Sequence, residues 1–486
     1  MQKNIDMCKI VGRKEEIADL QRIYNSGRPE FVAVYGRRRV GKTFLIDEVF
    51  KDNMSFHHTG LSPYDKKRRV TLKDQLQNFY FTLIRYGTEN IDCPTSWIEA
   101  FVLLQRLLER KDNGSRQVVF IDELPWLDTG RSGFLTALEA FWNGWGNTRD
   151  NLCLIVCGSA TSWMLDNLIN NKGGLYGRLT WEMKLLPFTL YECEQFFQTR
   201  KVSMTRYQIL QTYMIIGGIP FYMNYFNPSL SMAQNIDKLF FASNAKLADE
   251  FERLFYSVFD QAENCINVVR QLGKRHAGFT RDELAQAMHT NPNGDFTKLL
   301  KSLENSNIIV KYSPFTDDRK KDYYKLVDPF CWFWLHFKEQ KQVSEIDFWE
   351  HHLKDTLISS WCGIAFEEIC FTHLSAIKKA LGIAGVSTEA MAMTVKGDNQ
   401  SDGMQIDMLI NRRDDVVNLC EIKYCKEQFT IDKQYAEHLR SRKYFVEKRF
   451  PKKAVHQTFI TTYGLSPNAY ANEVTSQITM DDLFEH

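Results

Sequence analysis

The octapeptide GRRRVGKT at residues 36–43 constrains the fold of this chain more than any other segment. It follows a β-rich apolar run, residues 31–35, and precedes a helix-like run, residues 44–50. Its two glycines let the backbone curl so that successive N–H groups point at a polyphosphate. Lys42 would reach the terminal phosphates, and the Thr43 hydroxyl would bind Mg²⁺. The segment predicts a phosphate-binding loop, and the alternative is a basic glycine turn without a ligand. The predicted nucleotide contacts in and beside the loop are Gly36, Arg37, Arg38, Arg39, Val40, Gly41, Lys42, Thr43 and Phe44.

Composition limits the number of domains and the kinds of partner. With 486 residues, of which 44% are hydrophobic, the chain has apolar material for about two to four domains. The net charge of +1 creates no global attraction to nucleic acid or an anionic membrane, so such binding requires local patches. We expect a cytoplasmic chain without a membrane partner, because no stretch of eighteen or more residues is free of both charged residues and turn signals. The 11 cysteines lack a CxxC pair and predict buried thiols rather than disulfides or structural zinc.

Two further apolar runs end in polar residues that suit a phosphate loop. Residues 117–121 lead into Asp122 and Glu123, and residues 152–157 lead to Ser159. Asp122 would hold Mg²⁺ through water, Glu123 would polarise the attacking water, and Ser159 would sense the terminal phosphate. A strand-end contact with solvent is the alternative for the acidic pair. Strands alternating with helices predict an α/β fold, with a parallel sheet covered on both faces.

An ordered series of motifs resembles the archaeal-type ATPases, an AAA-related branch of the signal-transducing P-loop NTPases. The motifs are VGRKEE at residues 11–16, VVFIDELPWL at 118–127, CGSATSWM at 157–164, YGR at 176–178 and GGIP at 217–220. The resemblance implies ATP and Mg²⁺ as cofactors. It places Gly12 and Arg13 by the adenine and ribose, Pro220 on the base, and Arg178 as a phosphate sensor or finger. A salt-bridge partner remains the alternative for Arg178, and a helix-ending turn remains the alternative for GGIP.

Residues 263–337 are predicted to form a winged helix. Thr280 is expected to cap one helix together with Glu283, a second helix covers residues 295–304, and a β ribbon joins residues 308–312 to 323–326. A module that packs as a lid without touching DNA is the alternative. The aromatic run at residues 328–337 predicts core packing rather than base stacking. The basic residues expected to grip phosphates are Lys298, Lys301, Arg319, Lys320 and Lys321.

The C-terminal residues carry an acid, then an acid-x-lysine, as in the PD-(D/E)xK nucleases that they resemble. Asp407 and Glu421 would hold a metal ion, Glu367 would add a carboxylate from a helix, and Lys423 would orient or deprotonate the attacking water. A solvent-facing amphipathic strand is the alternative. One departure is that Gln434 and Tyr435 are adjacent and do not form the Q-x-x-x-Y spacing of RecB-like enzymes.

These patterns predict four parts: a P-loop ATPase core at residues 1–200, a helical lid at 201–262, a winged helix at 263–337 and a restriction-endonuclease-like α/β domain at 338–486. The predicted function is Mg²⁺-dependent ATP hydrolysis coupled to a DNA-directed nuclease-like domain. The alternative is a nucleotide-gated regulator whose winged helix binds DNA or protein and whose C-terminal domain is catalytically silent. Nucleotide-dependent self-association is also compatible with the sequence, whereas a chaperone-like ring is disfavoured because no pore loop is evident.

Overall fold

The computed structural model describes residues 10–63, 68–89, 91–313, 322–339, 346–395 and 404–485. Their contacts separate two compact units. The first unit contains the described residues up to Pro187, together with Glu252–Glu263 and Lys301–Ser306. The second unit contains Phe188–Phe251, Asn264–Leu300 and the described residues from Asn307 onward. The predicted four-part division stays a prediction.

The first unit is built on a five-stranded parallel sheet. Its strands are β1 (Glu30–Tyr35), β2 (Met54–Thr59), β3 (Gln117–Asp122), β4 (Leu152–Gly158) and β5 (Trp181–Lys184), in the order β2-β3-β4-β1-β5. The three central strands are buried almost throughout, as expected for apolar strands covered on both faces. The predicted parallel α/β sheet is therefore confirmed, and the carboxyl ends of β1, β3 and β4 meet at one edge.

Helices cover this sheet and bury aromatic side chains against it. They are α1 (Lys14–Tyr24), α2 (Lys42–Phe50), α3 (Leu72–Arg85), α4 (Trp97–Arg110), α5 (Leu124–Leu127), α6 (Phe134–Gly144) and α7 (Thr161–Met164), which continues as a π-helical turn, Leu165–Ile169. On α4, Trp97, Phe101, Leu104 and Leu108 recur at helical spacing and enter the core. The same core takes up Phe79 from α3.

The second unit begins with helices and a small antiparallel sheet. The helices are α8 (Leu190–Thr199), α9 (Arg206–Ile216), α10 (Pro220–Met223), α11 (Met232–Phe240), α12 (Glu250–Tyr256), α13 (Ala262–Leu272), α14 (Arg281–Ala287), α15 (Gly294–Asn305), α16 (Pro329–Phe333), which continues as a π-helical turn, Trp334–Lys338, and α17 (Phe348–His352). Of these, α12, α13 and α15 have residues in both units. The sheet strands are β6 (Phe279–Thr280), β7 (Ile309–Tyr312) and β8 (Tyr323–Leu326), in the order β6-β8-β7.

This region contains the elements that the winged-helix prediction requires. Thr280 and Glu283 form the expected reciprocal cap at the start of α14, and α15 extends the predicted helix by one residue at each end. Lys298 and Lys301 are exposed on α15. Arg319, Lys320 and Lys321 lie outside the described residues. The winged-helix identity stays a prediction.

The aromatic run packs as core. Phe330, Phe333 and Phe337 are fully buried. Phe333 and Phe337 lie with ring centroids 5.6 and 5.3 Å from that of Trp361. Core packing, which the sequence predicted, is therefore what these residues do in the second unit.

The C-terminal part of the second unit is a mixed five-stranded sheet with helices. Its strands are β9 (Thr388–Val395), β10 (Met404–Arg412), β11 (Val416–Lys423), β12 (Ala454–Thr461) and β13 (Ser476–Thr479), and its helices are α18 (Thr356–Thr372), α19 (Leu374–Ala380) and α20 (Lys433–Arg449). The order is β13-β12-β11-β10-β9, with β9, β10 and β11 antiparallel and β11, β12 and β13 parallel. In the β10–β11 hairpin, Met408 pairs with Cys420, so Asp407 and Glu421 lie opposite each other one residue further on.

No helix in the described ranges is long and apolar enough to cross a membrane. The cysteines from Cys93 to Cys425 are free thiols, and most of them are buried.

Candidate functional site

The loop between β1 and α2 adopts backbone angles that turn it around a central space. Gly36, Arg39 and Gly41 have φ values of 143°, 76° and 92°. At Gly36 a side chain is excluded, because a Cβ atom there would lie 2.3 Å from the carbonyl oxygen of Leu185. The loop leads directly into the N-terminus of α2, where free backbone N–H groups favour an anion.

Gly36→Ala is expected to weaken nucleotide binding at least tenfold and to lower the free energy of unfolding by about 1–3 kcal/mol, because the loop or Leu185 must move. Urea unfolding and a nucleotide titration measure the two effects. Gly130→Ala is the matched control, since its Cβ meets nothing within 4 Å. If Gly36→Ala had the same free energy of unfolding and the same nucleotide affinity as Gly130→Ala, the close approach of Gly36 to Leu185 would be contradicted.

Lys42 holds the centre of the loop together. Its side chain is 5% exposed. Its ammonium donates to Gly36 O at 3.0 Å, to Arg37 O at 3.1 Å and to Ser159 Oγ at 3.0 Å. These contacts use all three N–H groups of the ammonium. A phosphate oxygen would replace a neutral acceptor with a charged one, which gives a stronger hydrogen bond.

Thr43 at the start of α2 and Asp122 at the end of β3 are joined by their side chains. The Thr43 hydroxyl donates to Asp122 Oδ2 at 2.8 Å, and Asp122 Oδ1 accepts from the backbone N–H of Glu123 at 2.9 Å. Hydroxyl and carboxylate oxygens are the ligands that Mg²⁺ takes in phosphate-loop proteins. The residues present therefore fit this cation.

Glu123 is held by Ser159. Ser159 Oγ donates to Glu123 Oε1 at 2.8 Å, and the backbone N–H of Ser159 donates to Oε2 at 3.1 Å. Glu123 itself has a left-handed φ of 48°, a strained conformation of the kind that clusters at functional sites. A hydrogen-bonded series thus runs from Lys42 through Ser159 to Glu123. The sequence pointed to each of the three residues but not to this connection.

For the other residues predicted to contact the nucleotide, the structure gives their contacts within the chain, their backbone angles and their exposure. The Arg13 guanidinium is buried and donates to Leu186 O at 2.6 Å and to Glu16 Oε1 at 3.2 Å, and Gly12 has a φ of 65°. Arg37 donates to Arg38 O at 3.3 Å, Val40 is buried, and Phe44 is 48% exposed. These contacts fix the loop and the start of α1, and the predicted adenine contacts stay predictions.

No hydrogen bond or ion pair among the described residues joins Arg178 to Lys42. The side chain of Arg178 is exposed on a turn in which its backbone N–H donates to Leu175 O. Pro220 begins α10 in the second unit. Their predicted roles at the nucleotide stay predictions.

Asp407, Glu421 and Lys423 come together in the C-terminal sheet. Lys423 Nζ lies 2.8 Å from Glu421 Oε1 and 3.7 Å from Asp407 Oδ2. Asp407 Oδ2 also accepts from the backbone N–H of Ile422 at 2.9 Å. The interior of β11 is buried, so the alternative of a solvent-facing amphipathic strand is wrong.

Burial and neighbouring charges both act on the pKa values of this cluster. Burial alone would raise the pKa of the Glu421 carboxyl, but Lys423 and Arg442 outweigh it and hold that pKa below its usual range. Burial, and then the charge of Glu421, raise the pKa of Asp407. Burial disfavours the charged form of Lys423, yet Glu421 and Asp407 raise its pKa. Lys423 is therefore protonated at neutral pH, which favours orienting water over deprotonating it.

Two residues of α20 also bind Glu421. The Tyr435 hydroxyl donates to Oε1, and Arg442 Nη1 donates to Oε2. The two residues are two helical turns apart and face the same side of α20. The sequence reasoning missed both contacts, although the matched spacing of a tyrosine and an arginine was a usable signal.

Glu367 lies on α18 and is largely buried. Burial, and then the negative charge of Asp407, raise the pKa of the Glu367 carboxyl to about 7. Among the described residues, no group of three or more His, Cys, Asp or Glu side chains is arranged to hold a metal ion. The structure therefore gives no support to Glu367 as a third ligand, and the assignment of Asp407 and Glu421 as metal ligands stays a prediction.

Relatives of known sequence are found in Methanocaldococcus jannaschii. An uncharacterized protein is 23% identical over 376 residues, which are 76% of this chain and 78% of the relative. An uncharacterized ATP-binding protein is 45% identical over 42 residues, which are 9% of this chain and 71% of the relative.

Among solved structures, a Walker-type ATPase of Pyrococcus abyssi is 18% identical with a TM-score of 0.47, and the match covers 67% of this chain and 96% of that chain. The ORC2 protein of Aeropyrum pernix, solved as ADPNP and ADP complexes, is 14% identical with a TM-score of 0.41, covering 66% of this chain and 90% of that chain.

A family model described as an ATPase domain predominantly from Archaea matches residues 10–226. The matched segment contains the phosphate loop, Asp122, Glu123 and Ser159. Residues 10–226 are therefore similar to this predominantly archaeal family of ATPase domains, and with the phosphate loop they form a domain of the P-loop ATPase type.

Proposed function

We propose that this chain is a Mg²⁺-dependent ATP-binding and ATP-hydrolysing protein that couples its nucleotide state to a DNA-directed, nuclease-like C-terminal domain. The observation that supports it most is the hydrogen-bonded series from Lys42 through Ser159 to Glu123, beside the Thr43–Asp122 pair. This series connects a phosphate-binding cation to a carboxylate that can accept a proton.

In the proposed mechanism the loop amides and Lys42 bind the phosphates of ATP, and Thr43 and Asp122 hold Mg²⁺. The bound cation supplies charge neutralisation at the phosphates. Glu123 accepts a proton from the attacking water on a carboxylate lone pair that its two hydrogen bonds with Ser159 leave open. Arg178 is proposed to contact the phosphates, and Gly12, Arg13 and Pro220 are proposed to contact the nucleoside.

At the C-terminal site, Lys423 orients water or a phosphate oxygen beside Asp407 and Glu421. The proposal is supported by the burial of both carboxylates and by the proximity of a protonated lysine. Asp407 and Glu421 are the residues that would hold a metal ion there. For that, Glu421 must exchange its contacts with Lys423, Arg442 and Tyr435.

A nucleotide-gated regulator with a catalytically silent C-terminal domain is the second candidate. The observation that favours it is the engagement of both Glu421 oxygens by donors of this chain. A carboxylate that is fully paired in this way stabilises the sheet without any role in chemistry.

Lys423→Ala and Glu421→Ala are each expected to reduce Mg²⁺-dependent cleavage of labelled duplex DNA at least about 100-fold, since both remove charge from the reacting centre. The assay is run on the full chain with and without ATP. Lys433→Ala, an exposed lysine at the start of α20, is the matched control and should cleave normally.

The outcomes separate the two candidates. Wild-type cleavage that is lost in both variants and kept in the control supports the nuclease-like domain. DNA binding with no cleavage under any metal condition supports the silent regulator. Cleavage that survives in Lys423→Ala and Glu421→Ala would show that another site performs it.

A further inference from the structure

The last turn of α15 contacts the segment that follows Ser159. Asn305 Nδ2 donates to Ser162 Oγ at 3.1 Å, and Lys301 Nζ lies 3.9 Å from Asp166 Oδ1. Lys301–Ser306 belongs to the first unit, whereas the first residues of α15 belong to the second. The helix proposed to meet nucleic acid therefore ends inside the unit that carries the nucleotide site.

The segment from Ser159 to Ser162 is short and tightly packed. The backbone N–H of Thr161 donates to Ser159 O at 3.0 Å. At Gly158 a Cβ atom would lie 2.8 Å from both Met164 Sδ and Pro125 Cδ, so the segment packs against α5 without room to spare. Because close-packed segments transmit strain, we expect a displacement of Ser159 to reach Ser162 through this turn.

A bound nucleotide has a direct means of displacing Ser159. All three N–H groups of Lys42 are used by Gly36, Arg37 and Ser159. A terminal phosphate that accepts from Lys42 takes at least one of these hydrogen bonds. Gly36 and Arg37 belong to the loop itself. Of the three hydrogen bonds of Lys42, the one to Ser159 is therefore the one that joins the loop to another strand.

We propose that Asn305 and Ser162 form a latch that is closed in the nucleotide-free chain and opened by ATP, and that opening frees α15 to bind the phosphate backbone of a nucleic acid. In the closed state Asp166 occupies Lys301 in place of a phosphate. The inference rests on the proposed function, because it assigns that function a route from the ATPase site to α15.

The ion pair and the hydrogen bond have different roles in this latch. Lys301 and Asp166 are both largely exposed, with 63% and 58% of their side chains accessible, and an exposed pair at this distance is weak. A phosphate can therefore compete for Lys301 easily. Asn305 and Ser162 are partly buried, so their hydrogen bond is the contact that fixes the helix end.

Hydrogen exchange of the amides at residues 301–306 tests the latch without any nucleic acid. In the wild type, a non-hydrolysable ATP analogue with Mg²⁺ is expected to speed exchange at least about fivefold, because released segments open more often. In Asn305→Ala and Ser162→Ala, exchange is expected to be fast with and without nucleotide. Wild-type exchange that does not respond to nucleotide, or variants that match the wild type, would overturn the latch.

DNA binding by the full chain, measured as fluorescence anisotropy of a labelled duplex, tests its consequence. We expect the ATP analogue to tighten wild-type binding at least about fivefold, a typical coupling factor. In Asn305→Ala and Ser162→Ala the ratio of the two affinities should fall to within about twofold of one. The double variant should have the same affinity ratio as either single variant, because both substitutions remove the same hydrogen bond.

Lys298→Ala is the matched control on the same helix. Lys298 pairs with Asp295 of its own helix at 3.7 Å. Its loss should weaken DNA binding by the same factor with and without nucleotide, which leaves the ratio unchanged. If the ratio of DNA affinities with and without the ATP analogue were the same in Asn305→Ala as in the wild type, the latch would be refuted. A wild type that binds no DNA overturns the DNA-directed part of the proposed function, and the exchange measurement still decides the latch.

Discussion

Lys42→Ala is expected to reduce ATP hydrolysis at least about 100-fold and to weaken nucleotide binding, because a cation that clamps the terminal phosphates is removed. The substitution also leaves Gly36 O, Arg37 O and Ser159 Oγ without their common donor. Steady-state hydrolysis and a fluorescent-nucleotide titration on the full chain measure the two effects.

The control for Lys42 is Lys51→Ala, at the far end of the same helix. Lys51 is exposed and follows the last residue of α2, so its removal should leave both measurements unchanged. Thermal unfolding of the Lys42 variant distinguishes a loss of binding from a loss of the fold. Hydrolysis at the wild-type rate in a folded Lys42→Ala protein would refute the assignment of the loop.

Glu123→Gln is expected to slow ATP hydrolysis by about 10²–10⁴-fold while nucleotide affinity stays within about threefold, because only the proton-accepting oxygen is lost. The amide keeps an acceptor for the Ser159 hydroxyl but replaces the oxygen that accepts from the Ser159 backbone N–H with a donor, so thermal unfolding is needed to confirm that the variant is folded. Single-turnover hydrolysis separates this chemical step from product release.

Glu182→Gln provides a comparison, since Glu182 is an exposed carboxylate on β5 of the same sheet. It should leave hydrolysis unaltered. If Glu123→Gln weakened nucleotide binding as much as it slowed hydrolysis, Glu123 would be a binding residue and not the base. Equal rates in both variants would exclude Glu123 from the reaction.

Local patterns in the sequence were sufficient for the elements that carry the nucleotide site. The glycine positions of the loop, the apolar strand before it and the acids after β3 all follow from residue types at short spacing. The cap of α14 by Thr280 and Glu283 was predictable for the same reason. Each of these features depends on residues that are close in the chain.

Contacts between distant residues were not predictable in this way. Lys42 and Ser159 are separated by 117 positions, and they meet because β4 lies next to β1 in the sheet. The strand order is a property of the whole fold and leaves no mark near either residue. The contact between Asn305 and Ser162 also joins residues far apart in the chain, 143 positions from each other.

The cluster of Asp407, Glu421 and Lys423 was only partly predictable from the sequence. The alternation of Glu421 and Lys423 along one strand was readable from the sequence. The hydrogen bonds from Tyr435 and Arg442 to Glu421 depend on how α20 packs, and the sequence analysis did not predict them. The sequence therefore predicted the arrangement of charged residues along β11, but it did not predict the contacts that α20 makes with them.

Asp407 and Glu421 lie opposite each other across the β10–β11 hairpin. The exposed bend at residues 413–415 therefore affects the arrangement of the two carboxylates. A single residue inserted into that bend, with the pairing shifted to match, would turn one carboxylate to the reverse face of the sheet. The bend lies roughly 20 Å from the acids at about 3.4 Å per strand residue, yet its length determines whether they meet. Tolerance to insertion should therefore be much lower here than at a solvent-exposed turn with no paired charges beyond it.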